Sequence, residues 1–351
     1  MTSQAPSPRT PLTQRMIAQQ VGVSITTVSR VLSDRESDPG RWASPATVSA
    51  ILDAAERGGY RRNPHAASLR TSRSNQVGVL VPRLQDFVLA TIYEGIDELA
   101  TERGIATFVT NSLDDRELQR TRTQQMLDRR VDGLIFGDAH LDDPFLDELA
   151  AQDVRFVLTS RHAGDHLAVT CDDLAGGRMV ADHLVGLGRR DVAVLAGLPF
   201  ASTARERTQG LIDGLREADI EVPEHRIVYN GFDAAAGRQA AEQIFSTRPF
   251  PDAVFATNDF AAIGAMGVLR EHGLSIPDDV ALVGYNDTPL AGSIAVPLTT
   301  VRSPMHEMGR QAMAALLDLL AGRPTESARL APELVVREST AGAGVFVAPS
   351  V

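Results

Sequence analysis

Residues 13–32, with the sequence TQRMIAQQVGVSITTVSRVL, predict two short helices joined by a tight turn. Ile17 and Val21 recur at the spacing of one apolar helix face, and Thr13 in front of them is a candidate N-cap. Gly22 follows directly, and glycine adopts most easily the positive φ that such a turn requires. The stretch therefore predicts a helix-turn-helix.

The second helix of this pair has two distinct faces. Val28 and Val31 fall on one side and pack the helix against the first one. Residues 25, 26 and 30 point away from that core, where they are able to enter the major groove of DNA. An ordinary helical hairpin on an enzyme is the alternative, and the basic flank and terminal position of the segment argue against it.

A third helix is predicted from Ser44-Pro45 to Gly58-Gly59, because serine is a good N-cap and proline is favoured at the first helical position. Tyr60 then leads into a basic stretch with no apolar stripe. From these features we expect a disordered leader over 1–11, a helix-turn-helix domain over 12–62, a hinge over 63–74, a two-lobed domain over 75–340 and a disordered tail over 341–351.

Charge is distributed unevenly along the chain. The net charge is −11, yet residues 1–75 contain ten Arg and only five Asp or Glu. A basic head on an acidic body fits a segment that contacts phosphate. Every one of the 34 basic residues is Arg, so any chemistry that needs a lysine, such as a Walker-A phosphate loop or a Schiff base, is excluded.

After Asn75 the pattern changes to strands that alternate with amphipathic helices, which is typical of parallel, doubly wound sheets. So many strands fit two α/β lobes with a cleft between them better than one compact unit. The predicted strands are 76–81, 105–110, 133–136, 155–158, 191–196, 252–256 and 280–285.

Several classes of protein are disfavoured. No apolar run approaches the roughly 18 residues that a membrane span needs, and the N-terminus lacks the apolar core of a secretion signal. The single cysteine, Cys171, cannot form an internal disulfide, which fits a cytoplasmic protein. His162, His166 and His183 are isolated, and no metal-ligand spacing, nucleophile elbow or phosphate loop occurs. We therefore expect no cofactor, no metal site and no enzymatic activity.

The chain resembles the LacI/GalR family of transcriptional regulators. The resemblance begins in the head with GVSITTVSRVL and extends to about residue 320. It implies an all-α helix-turn-helix head on an α/β body like that of periplasmic binding proteins, a homodimer, and a DNA affinity controlled by a small molecule. The other segments that carry it are LRTSRSNQVGVLVP, RRVDGLIF, the DDxxGG of 172–177, DHLVGLGRRDVAVLAG, ARERTQG, ATNDFAAIGAM, IPDDVALVGYND and PLTTV.

The resemblance assigns DNA contacts to the second helix. Ile25, Thr26 and Arg30 occupy the positions that meet base edges, and arginine can donate two hydrogen bonds to guanine. The remaining candidates are short hydroxyl side chains suited to phosphates, which position a protein without specifying sequence. They are Ser24, Thr27 and Ser29.

Residues 63–71 resemble the hinge helix of the family, which enters the minor groove. Leu69 falls where such proteins insert a leucine between base pairs, although packing against the body is the alternative. Pro64 lies inside this segment and Ala67 replaces a polar residue, and both depart from the family pattern. The loop before the third helix is also longer than usual and carries Trp42, whose role stays open.

The body resembles domains that bind sugars and nucleobases in a cleft, which need apolar plates and planar hydrogen-bonding groups. Arg205 matches the arginine that clamps ligands in the family, and Asn286 replaces an Asp. Arg83 also stands where Asp is usual, so an anionic ligand stays open. Asp259 is expected to act only as a helix N-cap. The other effector candidates are Asp86, Phe87, Arg161, Asp172, Phe232 and Asn258.

Three functions follow as hypotheses. The first is a homodimeric repressor that binds a pseudo-palindromic operator in double-stranded DNA and responds to a small molecule, for which we expect a carbohydrate. Induction and co-repression both remain open. The second is the solute-binding protein of a transporter, which would not explain the head. The third is an enzyme, for which no motif is present.

Overall fold

The structure is a computed structural model that describes residues 12–33, 39–60 and 73–342. The chain divides into two compact units, a head within 1–72 and a body within 73–351.

The described part of the head contains three helices, α1 (Gln14–Val21), α2 (Ile25–Ser33) and α3 (Pro45–Arg57), with a 3-10 turn at Pro39–Arg41. Thr13 caps α1 by accepting a hydrogen bond from the N–H of Met16, as the sequence predicts. Gly22 has φ 75° and ends α1, so the positive φ expected at the turn is confirmed. Ser44 caps α3 with Pro45 at its start, again as expected.

The core of the head is small and apolar. Ile17 of α1 and Val28 and Val31 of α2 are completely buried. Ile51 of α3 is also completely buried and packs against these residues to complete the core. These contacts fix which face of α2 is left exposed.

Residues 73–342 of the body form two sheets. The first holds β1 (Gln76–Val81), β2 (Ala106–Asn111), β3 (Gly133–Phe136), β4 (Phe156–Thr159), β5 (Ala168–Cys171) and β11 (Ala328–Leu330). Its strand order is β11-β5-β4-β3-β1-β2 and every pairing is parallel. The second holds β6 (Val192–Gly197), β7 (Ile227–Tyr229), β8 (Ala253–Ala256), β9 (Ala281–Asn286), β10 (Thr299–Arg302) and β12 (Glu333–Val335).

The second sheet has the same winding as the first. Its order is β12-β10-β9-β8-β6-β7, and only the pairing of β12 with β10 is antiparallel. In both sheets the strand order reverses near the middle, so the expectation of two doubly wound parallel-sheet lobes is confirmed. Three strands at the sheet edges, β7, β11 and β12, were not predicted, because they are only three residues long and too short for a periodic signal. The inner strands β5 (AVTC) and β10 (TTVR) were also not predicted, because their threonines interrupt the apolar run.

Helices cover both faces of each sheet. On the first sheet α4 (Phe87–Glu102) and α11 (Met305–Leu320) pack on one face, and α5 (Arg116–Asp128) and α6 (Phe145–Ala151) on the other. On the second sheet the pairs are α7 (Asp173–Gly186) with α8 (Ser202–Glu217), and α9 (Ala234–Ile244) with α10 (Asp259–Glu271). A short helix, α12 (Glu338–Ala341), ends the described chain.

The chain passes between the lobes three times. The first passage follows β5, since α7 already packs on the second sheet. The second passage joins β10 to α11, which returns to the first sheet. The third joins β11 to β12 at residues 331–332. Each lobe is therefore built from separate parts of the sequence.

Glycines allow three helix pairs to approach closely. At each of them an added Cβ would overlap a backbone carbonyl oxygen of the opposite helix. The contacts are reciprocal, because each helix of a pair supplies one glycine. The residues are Gly95 and Gly309 for α4–α11, Gly177 and Gly210 for α7–α8, and Gly237 and Gly264 for α9–α10.

We expect Gly177→Ala to destabilise the body by about 1–3 kcal/mol, because the added methyl group would overlap the carbonyl oxygen of Arg207. Gly186 ends the same helix and has open space around it, so Gly186→Ala should stabilise by up to about 1 kcal/mol through helix propensity. Denaturant unfolding of the two variants measures both effects, and equal stabilities would contradict the close α7–α8 contact.

Candidate functional site

The exposed face of α2 carries the three candidates for base contacts. Ile25 is 44% exposed although it is a large apolar residue, while Val28 and Val31 on the opposite face are fully buried. Thr26 and Arg30 are exposed as well. A solvent-facing isoleucine next to a threonine and an arginine offers a methyl contact, a hydroxyl and a planar donor to one surface.

The hydroxyl candidates are partly engaged within the helix. Ser24 Oγ accepts a hydrogen bond from the N–H of Thr27 at 3.0 Å and lies 2.9 Å from the Thr27 hydroxyl. Ser24 therefore satisfies one of the open N–H groups at the start of α2. Ser29 is half-buried. These hydroxyl groups lie on the first turns of α2, where an N-terminal helix end favours a phosphate.

Trp42 lies beside the recognition face of α2. The guanidinium carbon of Arg30 is 4.5 Å from the centre of the Trp42 ring, and that of Arg41 is 5.2 Å from it. The sequence alone left the role of Trp42 open. The hinge candidate Leu69, together with Pro64 and Ala67, lies outside the described residues.

The body contains a cleft between its two lobes. A cavity of about 550 Å³ is lined by loops that follow the carboxyl ends of strands in both sheets, among them the loops after β1, β4 and β7. A recess of about 30 Å³ adjoins it and shares Asp86, Arg161 and Phe232 with the larger cavity. This is the position at which open α/β sheets bind ligands.

Arg161 occupies the centre of the cleft. Its side chain is buried and forms a two-pronged ion pair with Asp114, with Nη1 2.6 Å from Oδ1. The guanidinium carbon also lies 5.8 Å from the ring centres of Phe200 and Phe232. An arginine held between two rings and a carboxylate is fixed in place, so it presents a rigid surface to a ligand.

Two asparagines close the recess. Asn258 Oδ1 accepts a hydrogen bond from the N–H of Phe260 at 2.7 Å and so caps α10. Asn286 is almost completely buried, has φ 103°, and its Oδ1 has no hydrogen-bond partner among the described residues. A buried acceptor without a partner is costly, so Asn286 fits a ligand that donates a hydrogen bond.

Asp259 does not cap α10, contrary to the expectation from the sequence. Its carboxylate accepts hydrogen bonds from the hydroxyl of Thr300 and from the N–H and hydroxyl of Thr288. Burial raises the pKa of Asp259 to about 6, although these hydrogen bonds favour the charged form. Asp259 therefore ties the start of α10 to the loop after β9 and to β10.

Of Arg205 and Arg207, which both lie on α8, it is Arg207 that reaches the cleft. Arg207 lines the recess, donates from Nε to Asp173 Oδ1 at 2.8 Å and from Nη1 to the carbonyl of Thr257 at 2.8 Å. Arg205 is exposed, donates to the carbonyl of Pro199, and lines a separate groove on the outside of the second lobe. Two residues along a helix turn a side chain by about 200°, so the two arginines face opposite sides.

The remaining effector candidates divide into two groups. Asp86 lines both cavities and caps α4, and burial raises its pKa although its hydrogen bond to Val88 opposes that shift. Phe87 begins α4, is 37% exposed and lines neither cavity. Asp172 caps α7 at the first passage between the lobes and also lines neither cavity.

Three residues of the cleft, Phe200, Asp114 and Arg207, were not predicted from the sequence. Arg207 had a detectable signal, because it falls on the buried stripe of α8 between Ala204 and Leu211. A charged residue inside an apolar stripe is a candidate for a buried functional group. Phe200 and Asp114 lie in loops, where periodicity gives no information.

The lobes also touch beside the cleft. The His140 ring of the first lobe stacks on Phe200 of the second, with 4.0 Å between ring centres, and Leu141 N–H donates to the Phe200 carbonyl. His162 Nε2 lies 2.9 Å from a Glu206 carboxylate oxygen, a further link between the lobes. An aromatic stack, a backbone hydrogen bond and a histidine–carboxylate contact therefore link the two lobes beside the cleft.

The described residues contain no cluster of three or more potential metal ligands. Within those same ranges no helix combines the length and apolarity needed to cross a bilayer. Burial raises the pKa of Cys171 to about 11, so its thiol stays protonated and is a core group.

Two family models match the chain. Residues 15–63 match "Bacterial regulatory proteins, lacI family", and residues 181–340 match "Periplasmic binding protein-like domain". The HTH-type transcriptional regulator DegA of Bacillus subtilis (strain 168) is 30% identical over 92% of this chain and 96% of its own. The HTH-type transcriptional regulator CelR of Thermobifida fusca is 32% identical over 93% of this chain and 98% of its own.

Solved structures agree with these matches. The Lac repressor dimer bound to operator and the anti-inducer ONPF is 27% identical, covers 94% of this chain and 99% of its own, and has a TM-score of 0.85. The transcriptional regulator CelR–cellobiose complex is 31% identical over 93% and 99% of the two chains, with a TM-score of 0.71. With such similarity along nearly the whole of both chains, this protein belongs to the LacI family of bacterial transcriptional regulators.

Proposed function

We propose that this protein is a repressor that binds a pseudo-palindromic operator as a homodimer and releases or tightens its hold when a neutral carbohydrate enters the cleft. The observation that carries the DNA half is the exposed set of Ile25, Thr26 and Arg30 on α2, opposite its buried face. The Lac repressor relative is a dimer on its operator. Two heads related by a two-fold axis would each read half of the site.

Different side chains of the head are assigned to the bases and to the phosphates of the operator. We assign base edges to Ile25, Thr26 and Arg30, and phosphates to the hydroxyl groups of Ser24, Thr27 and Ser29. The family resemblance adds Leu69 as a wedge in the minor groove, which would bend the duplex. Arginine at residue 30 supports a guanine in each half-site, because its two donors match the O6 and N7 acceptors.

The charges of the cleft favour a neutral effector. Arg161 is paired with Asp114, and Arg207 with Asp173. Burial lowers the pKa of Arg207, but the Asp173 carboxylate opposes this shift and the net direction is upward. Burial raises the pKa of Asp173, and the Arg207 guanidinium opposes that shift. The 2.8 Å contact between the two groups pairs each charge with the other. Neither arginine is left over for an anionic ligand.

The mouth of the cleft has no excess positive charge either. Arg83 is exposed there, but Asp86 and Asp233 line the same cavity. Both carboxylates cap helices, accepting from the N–H groups of Val88 and Ala236. Arg83 is therefore balanced, and the anionic ligand that the sequence left open is disfavoured.

The shape of the cleft favours a carbohydrate. Its volume of about 550 Å³ falls in the range of roughly 300–1,000 Å³ typical of small-molecule sites. Phe200, Phe232 and Phe260 offer ring faces for the C–H side of a sugar, while Asn286 offers an acceptor for a hydroxyl. The relative CelR forms a complex with cellobiose, which supports a disaccharide as the effector of this protein.

We also propose that the protein acts in the cytoplasm, because its operator is chromosomal DNA, and that it catalyses no reaction. The carboxylates of the cleft support this, since Asp86, Asp114 and Asp233 are each engaged in a cap or an ion pair. A transporter's solute-binding protein would share the body, but it would have no use for the helix-turn-helix head.

Arg30→Ala should weaken operator binding by about 10- to 100-fold, because the change removes about 1–3 kcal/mol of base discrimination. Binding to random duplex DNA should change little. The matched control is Arg57→Ala, which removes an exposed arginine from α3. Fluorescence anisotropy with operator and random duplexes measures both affinities. An equal loss of affinity for the two DNAs would contradict a base contact.

Neutral disaccharides should raise the melting temperature of the full chain, and sugar phosphates should not. The expected order follows from the paired charges of the cleft and from its volume. A thermal-shift panel of neutral monosaccharides, neutral disaccharides, sugar phosphates and nucleosides measures this. Stabilisation by sugar phosphates alone would overturn the neutral-ligand proposal while leaving the DNA half intact.

Arg207→Lys should weaken binding of the stabilising sugar at least about tenfold. Lysine keeps the charge beside Asp173, but its single nitrogen cannot serve Asp173, the Thr257 carbonyl and a ligand together. Arg205→Lys makes the same chemical change outside the cleft and should have no effect. Calorimetric titration of both variants tests this, and a loss confined to Arg205→Lys would refute the assignment.

A further inference from the structure

We propose that Trp42 is a positioning residue that holds the guanidinium of Arg30 for base reading, and so sharpens guanine preference at one operator position. The inference rests on the proposed base contact of Arg30. Its basis is the stack in the head, where the Arg30 guanidinium carbon lies 4.5 Å from the centre of the Trp42 ring.

Trp42 is itself anchored. Its side chain is half-buried and packs against the apolar core of the head. Its backbone N–H donates to the carbonyl of Pro39 at 3.3 Å, which closes the 3-10 turn before α3. The Trp42 side chain is therefore held in place by the core of the head, and its indole ring lies next to the exposed Arg30 of α2.

The stack addresses a physical problem of base reading. A free arginine populates many rotamers, and ordering it on a base costs side-chain entropy. A ring beneath the flat face of the guanidinium restricts that motion through a cation–π contact, for which tryptophan is the best partner. The in-plane N–H groups of a stacked guanidinium remain able to donate to the O6 and N7 atoms of guanine.

Arg41 provides an internal comparison. Its guanidinium carbon also lies near the Trp42 ring, at 5.2 Å, but Arg41 belongs to the 3-10 turn and not to α2. Removing Arg41 takes away a cation beside the same ring without touching the recognition helix. Arg41→Ala is thus the matched control for an effect that acts through Arg30.

The test is a selection of operators from random duplexes by the full-length wild-type protein and five variants. These are Trp42→Leu, Trp42→Phe, Arg30→Ala, Arg41→Ala and the double variant Arg30→Ala/Trp42→Leu. Leucine keeps an apolar side chain against the core and removes the ring, whereas phenylalanine retains a ring. Circular dichroism of each variant checks that the head helices are retained.

We expect one position per half-site to lose its guanine preference in Arg30→Ala. At that position alone, Trp42→Leu should lower discrimination about two- to fivefold, the usual strength of an exposed cation–π contact. Trp42→Phe should restore part of it, and Arg41→Ala should leave it unchanged. The Arg30→Ala/Trp42→Leu double variant should discriminate no worse than Arg30→Ala, because the two changes act on one contact.

Other results overturn the inference. A purely structural tryptophan would lower affinity evenly at all positions, and a ring that holds Arg30 away from DNA would make Trp42→Leu bind more tightly. If discrimination at the Arg30 position is unchanged in Trp42→Leu, the inference fails while the proposed function stands. If the wild-type protein enriches no sequence, the proposed function fails and takes this inference with it.

The intrinsic fluorescence of the protein gives a second readout, since Trp42 is its only tryptophan. Contact of Arg30 with a base should alter the emission of the ring beneath it. The selected operator should therefore change the emission of the wild-type protein more than that of Arg30→Ala. Identical changes in the two proteins would contradict the link between ring and guanidinium.

Discussion

The cleft depends on one buried ion pair, between Arg207 of α8 and Asp173 at the start of α7. Neither charge could remain in that interior alone, because an unpaired buried ion costs several kcal/mol. The guanidinium also lies 3.7 Å from the ring centre of Tyr285, whose hydroxyl approaches Gly176 on α7. Two helices and a strand are therefore held together where the chain first passes between the lobes, and the floor of the recess is set by that arrangement.

Around this pair, the helices of each lobe are closely packed, and the two lobes contact each other through aromatic and polar side chains. At the glycine contacts the backbones of each helix pair lie directly against each other. Closely packed interiors have low compressibility, so a displacement of one helix is passed on to its neighbour. Between the lobes, the links include a stacked His140–Phe200 pair and the contacts of Glu206 with His162 and Arg329. A ligand bound by both lobes would thus change their relative orientation more than their internal structure, and DNA and ligand would influence each other equally.

The architecture could be predicted from sequence, while the precise site could not. Long strands such as β1 and β9 and capped helices such as α1 carry periodic signals that survive folding. The choice of Arg205 over Arg207 was wrong as a cleft residue because a two-residue shift reverses a helix face, which motif matching alone does not register. Phe200 and Asp114 belong to loops, whose positions follow only from the assembled sheets.

The interlaced connectivity of the body constrains how it is made. The first lobe needs α11 and β11, which come from residues 305–330 near the end of the chain. Until those residues leave the ribosome, one face of its sheet lacks the partner of α4 and the edge beside β5 stays open. A nascent or prematurely terminated chain would hence expose apolar surface in its earliest-synthesised lobe, the kind of surface that makes incomplete chains prone to aggregate.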